Sequence, residues 1–168
     1  MFIVIYIKHT NEREVIDMAS PLDKKGFIQI NIIVKDIEKA AELWSKLLGV
    51  EKPEIRINHL EGGENYTYRG EPITCDLKVA NIDMDGWVLE LHEPAGGESS
   101  FKEFMEKHGN GVHHLGFEVG ERRDEVIKEL GEMGFDTNRT LGIYPGSSWT
   151  IVDSEDALGV NLNIKPRR

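Results

Sequence analysis

Apolar and polar residues alternate in two segments of the chain that can be laid over one another. The first segment runs from Gly26 to Val34 and the second from Gly111 to Val119. Each begins with a glycine, continues with apolar residues at every second position, and leads into charged residues that open a helix-like segment. We therefore predict a duplicated unit, in which Gln29 and His114 occupy equivalent positions.

Two further β-type segments repeat near the ends of the predicted units, at Trp87 to His92 and at Val160 to Lys165. Successive side chains of a strand face opposite sides of a sheet, so the alternation predicts one apolar and one polar face. By the same count, His113 is expected on the face opposite to His114. The residues expected together on the polar face are Gln29, Glu90, His114 and Asn163.

The helices are predicted from apolar residues at helical spacing, with capping residues at their starts and glycines at their ends. The segment from Glu51 to Pro72 is rich in charge and glycine and is expected to be one strand plus a long loop. The expected helix starts are Asp36, Ser99 or Ser100, and Arg122, and the matching ends are Gly49, Gly109 and Gly134.

The length of 168 residues suits a single compact domain. We expect an N-terminal extension over residues 1–25 and a domain over 26–168, built of units 26–94 and 111–168 joined by a linker helix within 95–110. The apolar segment Met1 to Ile7 has no basic leader and no small-residue cleavage site, so a signal peptide is not expected. It is predicted to be an edge strand or a loose extension, and Met18 is an alternative start.

The net charge of the chain limits the classes of partner that the protein is expected to bind. The net charge is −10 at pH 7, and the sequence pI is about 5.1. Such an acidic chain is not expected to bind nucleic acid or an anionic membrane surface. The single cysteine, Cys75, cannot form an internal disulfide, and no apolar run reaches the length of a membrane helix. We therefore expect a cytoplasmic protein that acts on small molecules.

Four sequence strings resemble the vicinal oxygen chelate superfamily, which includes glyoxalase I, methylmalonyl-CoA epimerase, extradiol dioxygenases and antibiotic-resistance binding proteins. The resemblance covers about Gly26 to Lys165 and is greatest to methylmalonyl-CoA epimerase. It implies an α+β fold in which two βαβββ units pair into a cupped mixed sheet with helices outside. The strings are VKDIEKAAELWSKLLG, LELHEP, HGNGVHHLGFEV and ALGVNLNIK.

The resemblance also implies a divalent metal ion, held by one residue from each of four strands. Carried over by position, the metal ligands are Gln29, Glu90, His114 and Asn163. Asn163 departs from the family pattern, which has a glutamate there that binds the metal and accepts a proton from carbon. An asparagine cannot accept that proton, so another base is needed, and Glu118 is the candidate. The competing interpretation of Glu118 is a solvated glutamate at a strand end.

Two classes of function follow from the resemblance. The first is a metal-dependent isomerase or lyase that stabilises an enolate, similar to methylmalonyl-CoA epimerase or to lactoylglutathione lyase, with an acyl-CoA or other carbonyl or carboxylate compound as substrate. The second is a small-molecule binding protein without turnover, which the change at Asn163 favours. A homodimer is expected in either case.

Overall fold

The computed structural model describes residues 20–62 and 65–167, and for residues 138 and 139 it describes the backbone alone. Most of the predicted N-terminal extension, including the edge strand expected over Met1 to Ile7, lies outside the described residues.

The helices of the described residues are α1 (Ile37–Leu48), α2 (Ser100–His108), α3 (Arg123–Glu132) and α4 (Glu155–Leu158), with short 3-10 turns at Lys24–Gly26 and Gly120–Arg122. The strands are β1 (Phe27–Ile33), β2 (Arg56–Leu60), β3 (Tyr66–Tyr68), β4 (Glu71–Pro72), β5 (Cys75–Asp83), β6 (Val88–Gly96), β7 (Gly111–Glu118), β8 (Asp136–Tyr144), β9 (Ser147–Asp153) and β10 (Asn161–Lys165).

The strands form one mixed sheet in the order β2-β5-β6-β1-β7-β10-β9-β8-β3-β4. Strand β1 pairs in parallel with β6, and β7 pairs in parallel with β10. The two halves meet through the antiparallel pair β1–β7. This arrangement confirms the predicted α+β fold of two similar βαβββ units paired into a cupped sheet.

The sheet curls because its first unit contributes to both of its edges. Strands β2 and β3 follow one another closely in the chain, yet β2 is at one edge and β3 pairs with β8 near the other. A connection of a few residues can span only a short distance, so the two edges approach each other. Leu60 of β2 and Tyr66 of β3 accordingly pack in the same apolar cluster. The result is a half-barrel with an inner face.

Helices α1 and α3 cover the outer face of the two units. Ile37 and Ala41 of α1 pack on Leu91 of β6, and Val126 and Leu130 of α3 pack on the second unit. As predicted, the Asp36 side chain accepts a hydrogen bond from the backbone N–H of Lys39, and Gly49 adopts the left-handed conformation at the end of α1.

Helix α2 lies within the predicted linker and closes one end of the cup. Its side chains Phe101 and Phe104 are buried in an apolar cluster with Ile33, Leu77 and Val79, all of which point to the inner face. The inner face therefore has an apolar end filled by α2, which leaves the rest of the cup for polar side chains.

Candidate functional site

Four neighbouring strands, β6, β1, β7 and β10, each place one predicted site residue on the inner face of the cup. Around these residues, β1, β6 and β10 alternate regularly, which directs the adjacent apolar side chains to the outer face, as the sequence predicted. Gln29, His114 and Asn163 are almost fully buried, and Glu90 is partly buried. The structure thus brings together all four predicted metal ligands.

Three donors converge on one oxygen of Glu90. The side-chain amides of Gln29 and Asn31 donate hydrogen bonds to Oε2, the latter at 3.0 Å, and His92 Nε2 lies 3.2 Å from the same oxygen. Burial raises the pKa of Glu90, but the charge and hydrogen bond of His92, together with the charge of Lys165, outweigh it and hold the pKa well below the usual range. Glu90 is therefore a carboxylate at neutral pH.

His113 lies on the same side as His114, so the prediction that the two histidines occupy opposite faces was wrong. The register of β1 with β7 shifts between the pair Asn31–His114 and the pair Ile32–Val112, which leaves His113 as the extra residue of a β-bulge. The Nδ1 atoms of the two imidazoles are 2.8 Å apart. The prediction assumed that side chains alternate between the two faces along the whole strand, and the bulge interrupts that alternation.

Both ring nitrogens of His114 lie within hydrogen-bond distance of a neighbouring side chain. Its Nε2 is 3.2 Å from the amide nitrogen of Asn163, and its Nδ1 is 2.8 Å from Nδ1 of His113. Burial lowers the pKa of His114 well below its ordinary value, and the neighbouring His113 lowers it further. His114 is thus neutral, which is the form in which histidine binds metals.

The lowered pKa of His114 predicts acid destabilisation of the metal-free protein. Below pH 6.5, the ordinary pKa of histidine, the unfolded chain binds a proton at His114 that the folded protein does not. The free energy of unfolding should therefore fall as the pH decreases below 6.5, by up to about 1.4 kcal/mol per pH unit. The lowered pKa of Glu90 adds a further loss below about pH 4.5. Urea unfolding as a function of pH measures both.

The matched comparison for this pH dependence is between two histidine variants. His114→Gln should flatten the decrease in stability between pH 6.5 and pH 4.5. His59→Gln, which changes a histidine exposed on β2, should retain the decrease. An unchanged slope in His114→Gln would show that His114 is not buried in its neutral form.

A cavity of about 90 Å³ opens beside this cluster. It shares five lining residues with a larger hollow of about 490 Å³ toward the mouth of the cup. The two hollows therefore form one pocket, which is narrow and polar at its base and wider toward the mouth of the cup. The shared residues are Asn58, Leu60, Glu90, Trp149 and Lys165.

Glu118, the predicted base, lies at the exposed end of β7 and does not line the cavity at the base of the cup. It borders a different hollow, together with Gly26 and Phe27. Its Cα pairs across the ladder with Lys165, which does line the cavity. The structure therefore places Glu118 on the strand next to Lys165 and outside the cavity that three of the predicted metal ligands line.

Two buried amide oxygens of the site bear on its suitability for a metal ion. Gln29 Oε1 and Asn163 Oδ1 are buried without a hydrogen-bond partner among the described residues. Buried oxygens without partners are costly, and a cation can satisfy them. A half-turn of the Asn163 amide brings its oxygen beside His114 Nε2. Within residues 20–62 and 65–167, no three or more His, Cys, Asp and Glu side chains are grouped so that they could hold a metal ion. A metal site here would therefore need the amide oxygens of Gln29 and Asn163 to complete its set of ligands.

The fold agrees with the comparisons with known proteins. The profile of the Glyoxalase/Bleomycin resistance protein/Dioxygenase superfamily matches residues 28–151. The chain therefore belongs to that superfamily. A search of curated proteins found no match.

Solved structures show the same fold at low sequence identity. A hypothetical protein from Bacillus halodurans is 21% identical, with a TM-score of 0.58 over 84% of this chain and 94% of that chain. Methylmalonyl-CoA epimerase from Mycobacterium tuberculosis is 21% identical, with a TM-score of 0.53 over 85% of this chain and 88% of that chain.

None of the described helices is long and apolar enough to cross a membrane.

Proposed function

We propose that this protein is a metal-dependent isomerase or lyase that moves a proton on the carbon next to a carbonyl group. The observation that carries the proposal is the convergence of Gln29, Glu90, His114 and Asn163 in one buried pocket, with two amide oxygens left without partners. A divalent ion held there would bind two neighbouring substrate oxygens and stabilise the negative charge of an enolate.

The residues of the pocket have distinct roles in this proposal. Glu90 supplies the single anionic ligand, and the donors on its Oε2 hold that carboxylate in place while no described residue donates a hydrogen bond to Oε1. His114 supplies Nε2, and its Nδ1 contact with His113 fixes the orientation of the ring. Trp149 lines the pocket, and the Phe101 ring packs behind it against both Trp149 and His114.

Within this class of reaction, we propose that the specific activity is similar to that of methylmalonyl-CoA epimerase. One of the solved structures of the same fold is such an epimerase, and a thioester carbonyl beside a carboxylate presents the two neighbouring oxygens that the reaction needs. Glu118 is the proposed base, since it is a carboxylate whose Cα pairs with that of the pocket residue Lys165, and Asn163 cannot accept a proton at neutral pH.

Proton–deuteron exchange tests this assignment. In D₂O with added divalent metal, the wild-type protein is expected to exchange the α-proton of methylmalonyl-CoA. Glu118→Gln should lower the exchange rate by about 10²-fold or more while leaving metal affinity nearly unchanged, because the side chain accepts the proton and does not bind the metal. Glu121→Gln, a change of another glutamate just beyond β7, is the matched control. Equal exchange by wild type and Glu118→Gln would refute Glu118 as the base.

A second candidate is a binding protein of the same fold without turnover. It is favoured by Asn163, because the base of the cup then contains one carboxylate, Glu90, whose Oε2 already accepts three contacts. The exchange experiment separates the two functions, since a binding protein would take up ligand in the pocket and show no exchange with any variant.

A further inference from the structure

Lys165 is a cation on the inner face that the proposed metal site does not use. It follows Asn163 by two residues on β10 and so points to the same face. It lines both the cavity at the base of the cup and the larger hollow at the mouth. A ligand that passes from the mouth to the metal ligands must therefore pass the Lys165 ammonium group.

Among the residues that the structure describes, no carboxylate forms an ion pair with Lys165. Glu118 lies opposite it across the ladder without forming such a pair. Glu90 shares the cavity with it, but its Oε2 is taken up by His92, Gln29 and Asn31. Ion pairs account for nine other lysine and arginine side chains of the described chain, which are Lys46, Lys52, Arg69, Lys78, Lys102, Lys107, Arg122, Arg123 and Lys128.

The walls around Lys165 combine aromatic side chains with polar ones, among them Asn58 and His59. Trp149, Tyr66 and Tyr144 line the hollow at the mouth together with Lys165, and Leu60 continues this surface inward. A protein with a net charge of −10 repels anions in general, so an anionic ligand needs a local cation to enter the cup. One ammonium group beside aromatic and polar side chains suits a small anionic ligand.

We infer that Lys165 binds the carboxylate group of a small carboxylic acid substrate in this pocket. The inference deepens the proposed function, on which it rests, by naming the substrate class. It requires no metal for the anion contact itself. The competing role, in which Lys165 only balances the charge of Glu90, does not require any ligand to touch it.

Malonate is the probe, titrated at constant ionic strength into protein that has been freed of metal with a chelator and then dialysed. The indole N–H signals of the three tryptophans report binding by NMR, because Trp149 lines the pocket while Trp44 lies on the outer face by α1. In the wild type, saturable shifts are expected for Trp149 and not for Trp44. Lys165→Gln should weaken the binding by about tenfold or more, and Lys165→Arg should retain most of it.

Lys128→Gln is the matched control, since it removes the same charge from an exposed position on α3. The inference is overturned if the wild type shows no saturable Trp149 shift, if Lys165→Gln binds malonate as the wild type does, or if Lys128→Gln weakens binding equally. A metal titration of the same samples tests the proposed function separately. If the wild type takes up no metal but still binds malonate, and Lys165→Gln still weakens that binding, only the metal site is refuted.

Discussion

Replacing Asn163 by glutamate is expected to tighten divalent metal binding by about ten- to a hundredfold. The change substitutes a charged oxygen for a neutral one beside His114, and the number of charged ligands tunes the affinity of oxygen-rich sites. Space for the longer side chain exists in the adjacent cavity of about 90 Å³, which Asn163 lines. Calorimetric titration with Mn²⁺ or Ni²⁺ measures the change.

The control for this substitution is Asn58→Glu, which makes the same chemical change at another residue that lines the same cavity. It should alter metal affinity far less, because Asn58 lies on β2 and outside the four-strand cluster. Titration curves of wild type and Asn163→Glu that coincide would refute the position of residue 163 in a metal site. A carboxylate at residue 163 can also accept a proton, so exchange activity is expected to increase in the same variant.

Replacing Phe101 by alanine is expected to cost about 3–5 kcal/mol of the free energy of unfolding. Phe101 is 2% exposed, and its ring lies 5.1 Å from that of His92 and 5.0 Å from that of His113. Its removal would leave a cavity behind both imidazoles, which the surrounding strands cannot close. Urea unfolding of the metal-free protein measures the loss.

Leu47→Ala provides the comparison for Phe101→Ala, because Leu47 is 78% exposed on α1 and should change stability by less than about 0.5 kcal/mol. Phe101→Ala should also weaken metal binding, since the ring supports the imidazoles that surround His114. A loss in unfolding free energy below about 1 kcal/mol would contradict the role of α2 as the packed end of the cup.

The polar face could be predicted because three of its four residues lie in regular stretches of their strands. From Gln29 to Ile33 on β1, from Val88 to Pro94 on β6 and along β10, successive side chains alternate between the two faces. Gln29, Glu90 and Asn163 were therefore assigned correctly to one face. Strand β7 contains a bulge, which no local sequence signal announced, and His113 was therefore assigned to the wrong face. Bulges depend on the pairing with a neighbouring strand, so alternation within one strand cannot reveal them.

The shape of the pocket could not be predicted from local patterns in the sequence. The segment Glu51 to Pro72 was expected to hold one strand and a loop, but it contains β2, β3 and β4, and β3 pairs with β8 of the other unit. Such pairing joins distant parts of the chain and leaves no local pattern. Lys165 was within a predicted strand, yet its role as a pocket residue depends on the strand order, which only the fold supplies.

Metal uptake by the wild-type protein tests the central claim most directly. Protein treated with a chelator and then dialysed is titrated with Mn²⁺, Ni²⁺, Co²⁺ and Zn²⁺ in turn, with calorimetry to count the sites. The convergence of Gln29, Glu90, His114 and Asn163 predicts one bound ion per chain for at least one of these metals, with binding lost in His114→Gln and kept in His59→Gln. No saturable uptake of any of them, or equal uptake by His114→Gln, would contradict a metal site in the cup.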